Sequence, residues 1–328
     1  MTDAMTETAS DTATEHRVVT FGETMALFGA TSVGSLEHVP ELRISIGGAE
    51  SNAAIAMSRL GVRVTWVGRV GADSLGERVL RELRGENLDV RAVVDDGAPT
   101  GVMIKEYRTA DAMRVLYYRS GSAGSRLTAD DVARADIAHC SLLHVTGITP
   151  AISESAANAT DVAIDLATSA GVPVSFDVNH RTKLWVDRDE SSVYRSIAER
   201  STIVFAGEDE ARILAPTAKS VPDLAHAIAD LGPSQVVIKL GDKGCFALVD
   251  GVEYSRDAIR IRPVDTVGAG DAFVAGYLAE LLAGLPVADR LTTAVTTGAF
   301  ACLNPGDWEG YPRRDELALL SASEPVMR

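Results

Sequence analysis

Short apolar runs rich in β-branched residues recur along the chain: "RVVTF" (17–21), "VTWVG" (64–68), "SLLHVTG" (141–147), "VPVSFDV" (172–178), "TIVFA" (202–206) and "QVVIKL" (235–240). They are continuous rather than alternating, the pattern of strands buried on both faces. Amphipathic stretches separate them. "DSLGERVLRELRGEN" (73–87) gathers Leu75, Val79, Leu80 and Leu83 on one helical face behind Asp73, a suitable N-cap. "ESNAAIAMSRLG" (50–61) closes on Gly61, a suitable C-cap. Strands alternating with helices predict an α/β fold, a parallel sheet covered on both sides.

Two regions break this rhythm. Residues 25–47 follow the first strand without a helical pattern, and residues 99–120 read as a hairpin turning around Thr109–Ala112. Both fit a sheet flanked by helices poorly, so they predict a small separate β-sheet, a lid inserted into one continuous domain spanning 17–322. Residues 1–16 are polar, acidic and rich in Thr and Ala, and read as a frayed tail rather than a signal peptide.

Composition narrows the partners. A formal net charge of −15, from 31 Lys plus Arg against 46 Asp plus Glu, repels nucleic acid and anionic membrane. No run approaches the roughly 18 apolar residues of a membrane helix. Cys140, Cys245 and Cys302 lie in or beside apolar stretches without metal-type spacing, so they read as reduced thiols and the protein as cytoplasmic. A small anionic ligand needs a local basic cluster here.

The stretch "DTVGAGDAF" (265–273) follows an extended run, 258–264, and opens a helical pattern, 271–284. Gly268 and Gly270 let backbone N–H groups crowd around an anion at a helix N-terminus. A dinucleotide fingerprint needs a third glycine where Phe273 stands, and no Walker A loop is present. Asp271 is open to two readings: a dipole-stabilised residue of the first turn, or a base beside a phosphate cradle.

"DTVGAGDAF" resembles the C-terminal signature of the ribokinase-like (PfkB-type) carbohydrate kinases, and "GGAESNAAIAMSRLG" (47–61) resembles their N-terminal Gly-Gly signature. The likeness runs from about residue 17 to about 320, with order and spacing kept. It implies a ribokinase-like α/β/α domain with a β lid, ATP as phosphoryl donor and Mg²⁺ as cofactor. By that match Asp271 is the catalytic base, and the backbone of Gly268, Ala269, Gly270 and Asp271 forms the anion hole.

On the acceptor side, "YYRSGSAGSRL" (117–127), "DVNHRTKLW" (177–185) and "GDWEGYP" (306–312) resemble the 2-keto-3-deoxygluconate kinase branch. Strand alternation puts Tyr117 and Arg119 on one face, and the branch implies that they face a sugar acid. Arg181 follows a strand C-terminus, where ligands of open α/β sheets bind, and in an extended loop shares a side with Asp177 and Asn179. Arg119 and Arg181 are candidates to supply the local positive charge a carboxylate needs, the alternative being two exposed arginines in ordinary surface pairs. The branch further implies that Gly48 and Asn52 contact the sugar, that Ile148 lines the pocket and that Asp307 binds hydroxyls. On the nucleotide side it implies Lys239, Gly241, Gly244 and Thr266.

Two positions depart from the family. Its Asn-x-x-Glu motif reads "GEDE" (207–210) here, keeping Glu210 for Mg²⁺ through water but placing Gly207 for the asparagine, so the metal role rests on Glu210, on Glu208 or on water. Met103 stands where a tyrosine commonly faces the sugar, with Lys105 on the same strand face as a candidate compensation. Phosphorylation of 2-keto-3-deoxygluconate is the leading reading. A neutral-sugar kinase and a catalytically silent sugar-binding protein are the rivals. Paired lids in the family imply a homo-oligomer.

Overall fold

A computed structural model describes residues 16–109, 112–185 and 188–321; the tail proposed for 1–16 lies almost wholly outside the described residues, as do positions 110 and 111 of the proposed turn. In chain order the strands are β1 (Arg17–Phe21), β2 (Met25–Ala30), β3 (Leu42–Gly47), β4 (Arg63–Gly71), β5 (Asp89–Asp95), β6 (Val102–Thr109) and β7 (Ala112–Tyr118). They continue as β8 (Leu142–Thr146), β9 (Val174–Asp177), β10 (Ile203–Gly207), β11 (Gln235–Lys239), β12 (Cys245–Val249) and β13 (Val252–Arg256). Among the described residues they form two sheets. The larger runs β13-β12-β11-β10-β9-β8-β1-β4-β5, parallel from β11 through β5, with β12 and β13 as an antiparallel edge.

The continuous apolar runs become the inner strands because both faces of the sheet are covered. Within β1, Val18 packs into one core, while Val19 and Phe21 pack into the other. β8 divides likewise between Leu142 and Leu143. The period-2 polar alternation of a half-exposed strand is absent, and the polar residues these strands carry, Thr20 and His144 among them, are buried too. The helix Ser74–Gly85 starts where Asp73 accepts from the Gly76 amide at 2.8 Å. The helix Ala49–Arg59 ends before Gly61, whose φ of 89° suits glycine.

The second sheet runs β3-β2-β6-β7 and holds the two segments that broke the helical rhythm. β2 pairs antiparallel with β3 and parallel with β6, and β6 pairs antiparallel with β7. Met25, Leu27 and Met103, with Val115 against them, give this sheet, the one expected to form a lid, its own small apolar core.

β4 and β5 lie on one side of β1, and β8 to β13 on the other. Strand order therefore reverses between β1 and β8, and the crevice outside the strand C-termini there is where open α/β sheets bind ligands. Among the described residues, no helix is long and apolar enough to cross a membrane. Cys140 and Cys245 are buried, Cys302 is partly so, and all are free thiols.

Candidate active site

At that reversal the strand ends and the lid enclose a cavity of about 1260 Å³. Asp271 lies in its wall, in the first turn of the helix Ala269–Leu282, and is buried. Its Oδ2 accepts from Asn52 Nδ2 at 2.9 Å and its Oδ1 from Asn179 Nδ2 at 3.1 Å. Asn52 comes from the first turn of the helix Ala49–Arg59, and Asn179 from the turn after β9. Three elements distant in sequence thus aim one carboxylate. Removal from water pushes the Asp271 carboxyl up to about 7; the Asp177 carboxylate adds to this, while the Asn52 hydrogen bond, Arg181 and Lys239 oppose it.

The glycines beside it fill unequal roles. Gly268 caps the helix with φ 77°, and its carbonyl accepts from the Tyr311 hydroxyl at 2.8 Å. A Cβ there would overlap the Asp307 carbonyl. Gly268, Gly270 and Thr266 face the cavity, and Ala269 is the first helical residue between the two glycines. Lys239, at the end of β11, donates to Asp177 Oδ1 at 2.7 Å, and its Nζ stands 3.6 Å from where a Gly270 Cβ would lie. Burial works to lower the Lys239 ammonium, but the Asp177 and Glu210 carboxylates outweigh it and the net shift is upward. A cation, a helix N-terminus and open backbone thus share one corner, a combination suited to phosphate oxygens.

Glu210 accepts from the Gly207 amide at 2.6 Å through Oε2 and from the His180 amide at 2.9 Å through Oε1. It therefore holds the turns after β10 and β9 together while facing the cavity. Glu208 pairs with Arg212 at 2.7 Å and does not line the cavity. Among the described residues no group of three or more His, Cys, Asp or Glu side chains forms a metal cage.

On the acceptor side Gly48, Asn52, Met103, Tyr117, Arg119, Ile148, Arg181 and Asp307 all line the cavity, as does Gly241 on the nucleotide side. Four expectations need correction. Lys105 does not face the cavity: its side chain is 2% exposed and pairs with Asp265 and Asp307. Gly244 also lies outside the lining; it forms the turn before β12 with φ 97°, close against the Arg256 carbonyl. The loop carrying Arg181 is not extended, because Asn179 adopts φ 40° to aim its amide at Asp271. Arg119 is not a free cation. Its Nε and Nη2 donate to Glu23 Oε2 at 2.7 and 2.6 Å, while the Ser122 hydroxyl donates to Glu23 Oε1. Arg181 is exposed, faces the cavity and enters no ion pair among the described residues; its Nη1 donates to the His180 carbonyl at 3.0 Å.

Glu23, Glu50 and Asn179 line the cavity and were not singled out from the sequence. Glu50 is buried, and Thr146 and Thr149 each donate to its Oε1 at 2.6 Å; burial raises its carboxyl above the usual range despite them. Glu23 follows the C-terminus of β1 in "FGETM", so its place after an inner strand was an available signal. Glu50 offered only a charge within a helical pattern.

The sequence profile of the pfkB family carbohydrate kinases matches residues 15–314. The chain belongs to that family. A pfkB relative from Bacillus subtilis (strain 168), a 2-dehydro-3-deoxygluconokinase, is 37% identical over 316 residues, covering 94% of this chain and 96% of its own. Fructokinase-1 of Zea mays is 32% identical over 268 residues, covering 81% and 83%. Among solved structures, an uncharacterized sugar kinase from Pyrococcus horikoshii in complex with ATP superposes with a TM-score of 0.80 at 26% identity, covering 92% of this chain and 97% of that one. The chain is therefore a carbohydrate kinase, and the acceptor sugar is the narrower question.

Proposed function

We propose that this kinase transfers the γ-phosphoryl group of ATP to a hydroxyl of a small sugar acid, with 2-keto-3-deoxygluconate, phosphorylated at its 6-position, as the leading acceptor. The observation that carries the transfer is Asp271, a buried carboxylate held from both sides by Asn52 and Asn179 at the start of the helix Ala269–Leu282. A carboxyl titrating near 7 is matched to removing a proton from an attacking hydroxyl near neutral pH. As the phosphoryl group moves, the amides of Gly268–Asp271 and the Lys239 ammonium meet the charge on its oxygens. The lid, through Met103 and Tyr117, closes the acceptor end against water, which would otherwise compete for the phosphoryl group.

Mg²⁺ supplies further charge neutralisation on the phosphates. It commonly keeps several waters and binds through one or two carboxylates plus phosphate. Glu210, which faces the cavity, would hold it through water.

Arg181 supports an acid as acceptor. The lining sets Glu23, Glu50, Glu210, Asp271 and Asp307 against Arg119, Arg181, Lys183 and Lys239, and a guanidinium that enters no ion pair among the described residues suits a substrate carboxylate. Arg181→Ala is expected to raise the KM for the sugar acid about 10- to 100-fold, the worth of one or two charge-assisted hydrogen bonds, and to leave the KM for fructose unchanged. An unchanged KM for the acid would reject the acid reading. The neutral-sugar alternative has its own support, because Glu23 already balances the charge of Arg119. ADP release with 2-keto-3-deoxygluconate, 2-keto-3-deoxygalactonate, fructose, ribose and adenosine separates the two.

A further inference from the structure

A second charged cluster, which meets the cavity through Asp307, joins the lid to the body. Lys105 extends from β6, and its Nζ lies 3.2 Å from Asp265 Oδ2 and 2.5 Å from Asp307 Oδ1. Tyr107, two residues along the same strand, donates its hydroxyl to Asp265 Oδ2 at 3.3 Å. Asp265 ties these to the body, accepting from the Val267 amide at 3.0 Å through Oδ1 and from the Gly306 amide at 3.3 Å through Oδ2. Both carboxylates are chained to the cradle. Asp265 holds Val267, which precedes Gly268, and the Asp307 carbonyl is the group that leaves no room for a side chain at Gly268.

We infer that Lys105 is a positioning residue that ties the seating of the lid to the geometry of the Gly268–Asp271 cradle. The inference rests on the reading of that cradle as the site of phosphoryl transfer. A desolvated ammonium is stable here because two carboxylates face it, and those carboxylates tolerate burial because the ammonium lies between them. Lifting β6 away would remove the shared cation and leave Asp265 and Asp307 as neighbouring like charges. The loops that carry them, 265–268 and 302–307, would then separate or admit water. A seated lid and an ordered cradle thus belong to one cooperative arrangement, and the lid acts on the chemistry without touching the reacting atoms.

Two readouts on Lys105→Met test this: amide hydrogen exchange across 102–109 in the free protein, and steady-state kinetics with the sugar the wild type phosphorylates best. Exchange across β6 is expected to quicken about tenfold or more, and kcat to fall roughly 10- to 100-fold, the scale of a 1 Å misplacement. Lys105→Arg, which keeps the charge, is expected to recover most of both. Unchanged exchange, or kcat within threefold of wild type, overturns the inference. If Lys105→Met does not fold, Asp265→Asn is scored by the same readouts. The exchange measurement needs no substrate, so it judges the tie even if the acceptor proves not to be a sugar acid.

Discussion

Asp271→Asn is expected to lower kcat by roughly 10³- to 10⁴-fold, the upper range for losing a positioned general base, with the fold intact. Asparagine keeps the shape of the side chain and leaves an oxygen for Asn52 or Asn179 to bond, but it cannot take a proton at neutral pH. Near wild-type turnover from a folded variant would remove Asp271 from the base role. The wild type should also show kcat/KM rising with pH through about 7, because the ionised form is the acceptor and burial sets its titration there.

The same shift predicts a stability effect of definite sign. Asp271 is protonated in the fold up to about 7, whereas its ordinary value is 3.8. Between those values the folded state binds the extra proton, so this contribution is fully present below pH 4 and is lost as pH rises through 7. Asp271→Asn has no such titration. The Tm of the wild type minus that of the variant is therefore expected to fall steadily between pH 4 and 8. A flat difference would show that the carboxyl titrates alike in the folded and unfolded chains.

The parts of this molecule legible in its sequence are those written locally. Continuous apolar strands, the Asp73 cap, the Gly61 stop and the helix-free segments 25–47 and 99–120 each follow from neighbouring residues. So does the crowding of Gly268, Gly270 and Asp271 at a helix start. Charge pairing was not legible, because the partners are far apart in the chain. Arg119 and Lys105 both read as cations available to a substrate, yet one is bonded to Glu23, 96 residues away, and the other to Asp265, 160 residues away. Asn179 illustrates the remaining gap: its left-handed backbone, which brings its amide to Asp271, follows from the carboxylate it meets rather than from "DVNHR" itself.

Gly268→Ala is expected to cost about 10²- to 10³-fold in kcat, the scale of losing a donor to a developing anion, although it adds only one methyl group. Two constraints act together. The position has φ 77°, where a residue with a Cβ is disfavoured by roughly 1–2 kcal/mol, and the methyl would overlap the Asp307 carbonyl and crowd the Tyr311 hydroxyl. Relief requires turning the peptide at 268, which swings the first-turn amides off the phosphate, or pushing back the loop that carries Asp307. Gly270→Ala makes the control. It lies within the helix, and its added Cβ would meet only the Lys239 ammonium, at 3.6 Å, an ordinary contact. It should therefore keep the Tm of the wild type, with any loss appearing in the KM for ATP, on the side where Lys239 stands. Equal kinetic losses from the two substitutions would mean that the motif acts through flexibility of the whole loop, whereas a loss concentrated at Gly268 places the requirement on one backbone conformation and the carbonyl packed against it.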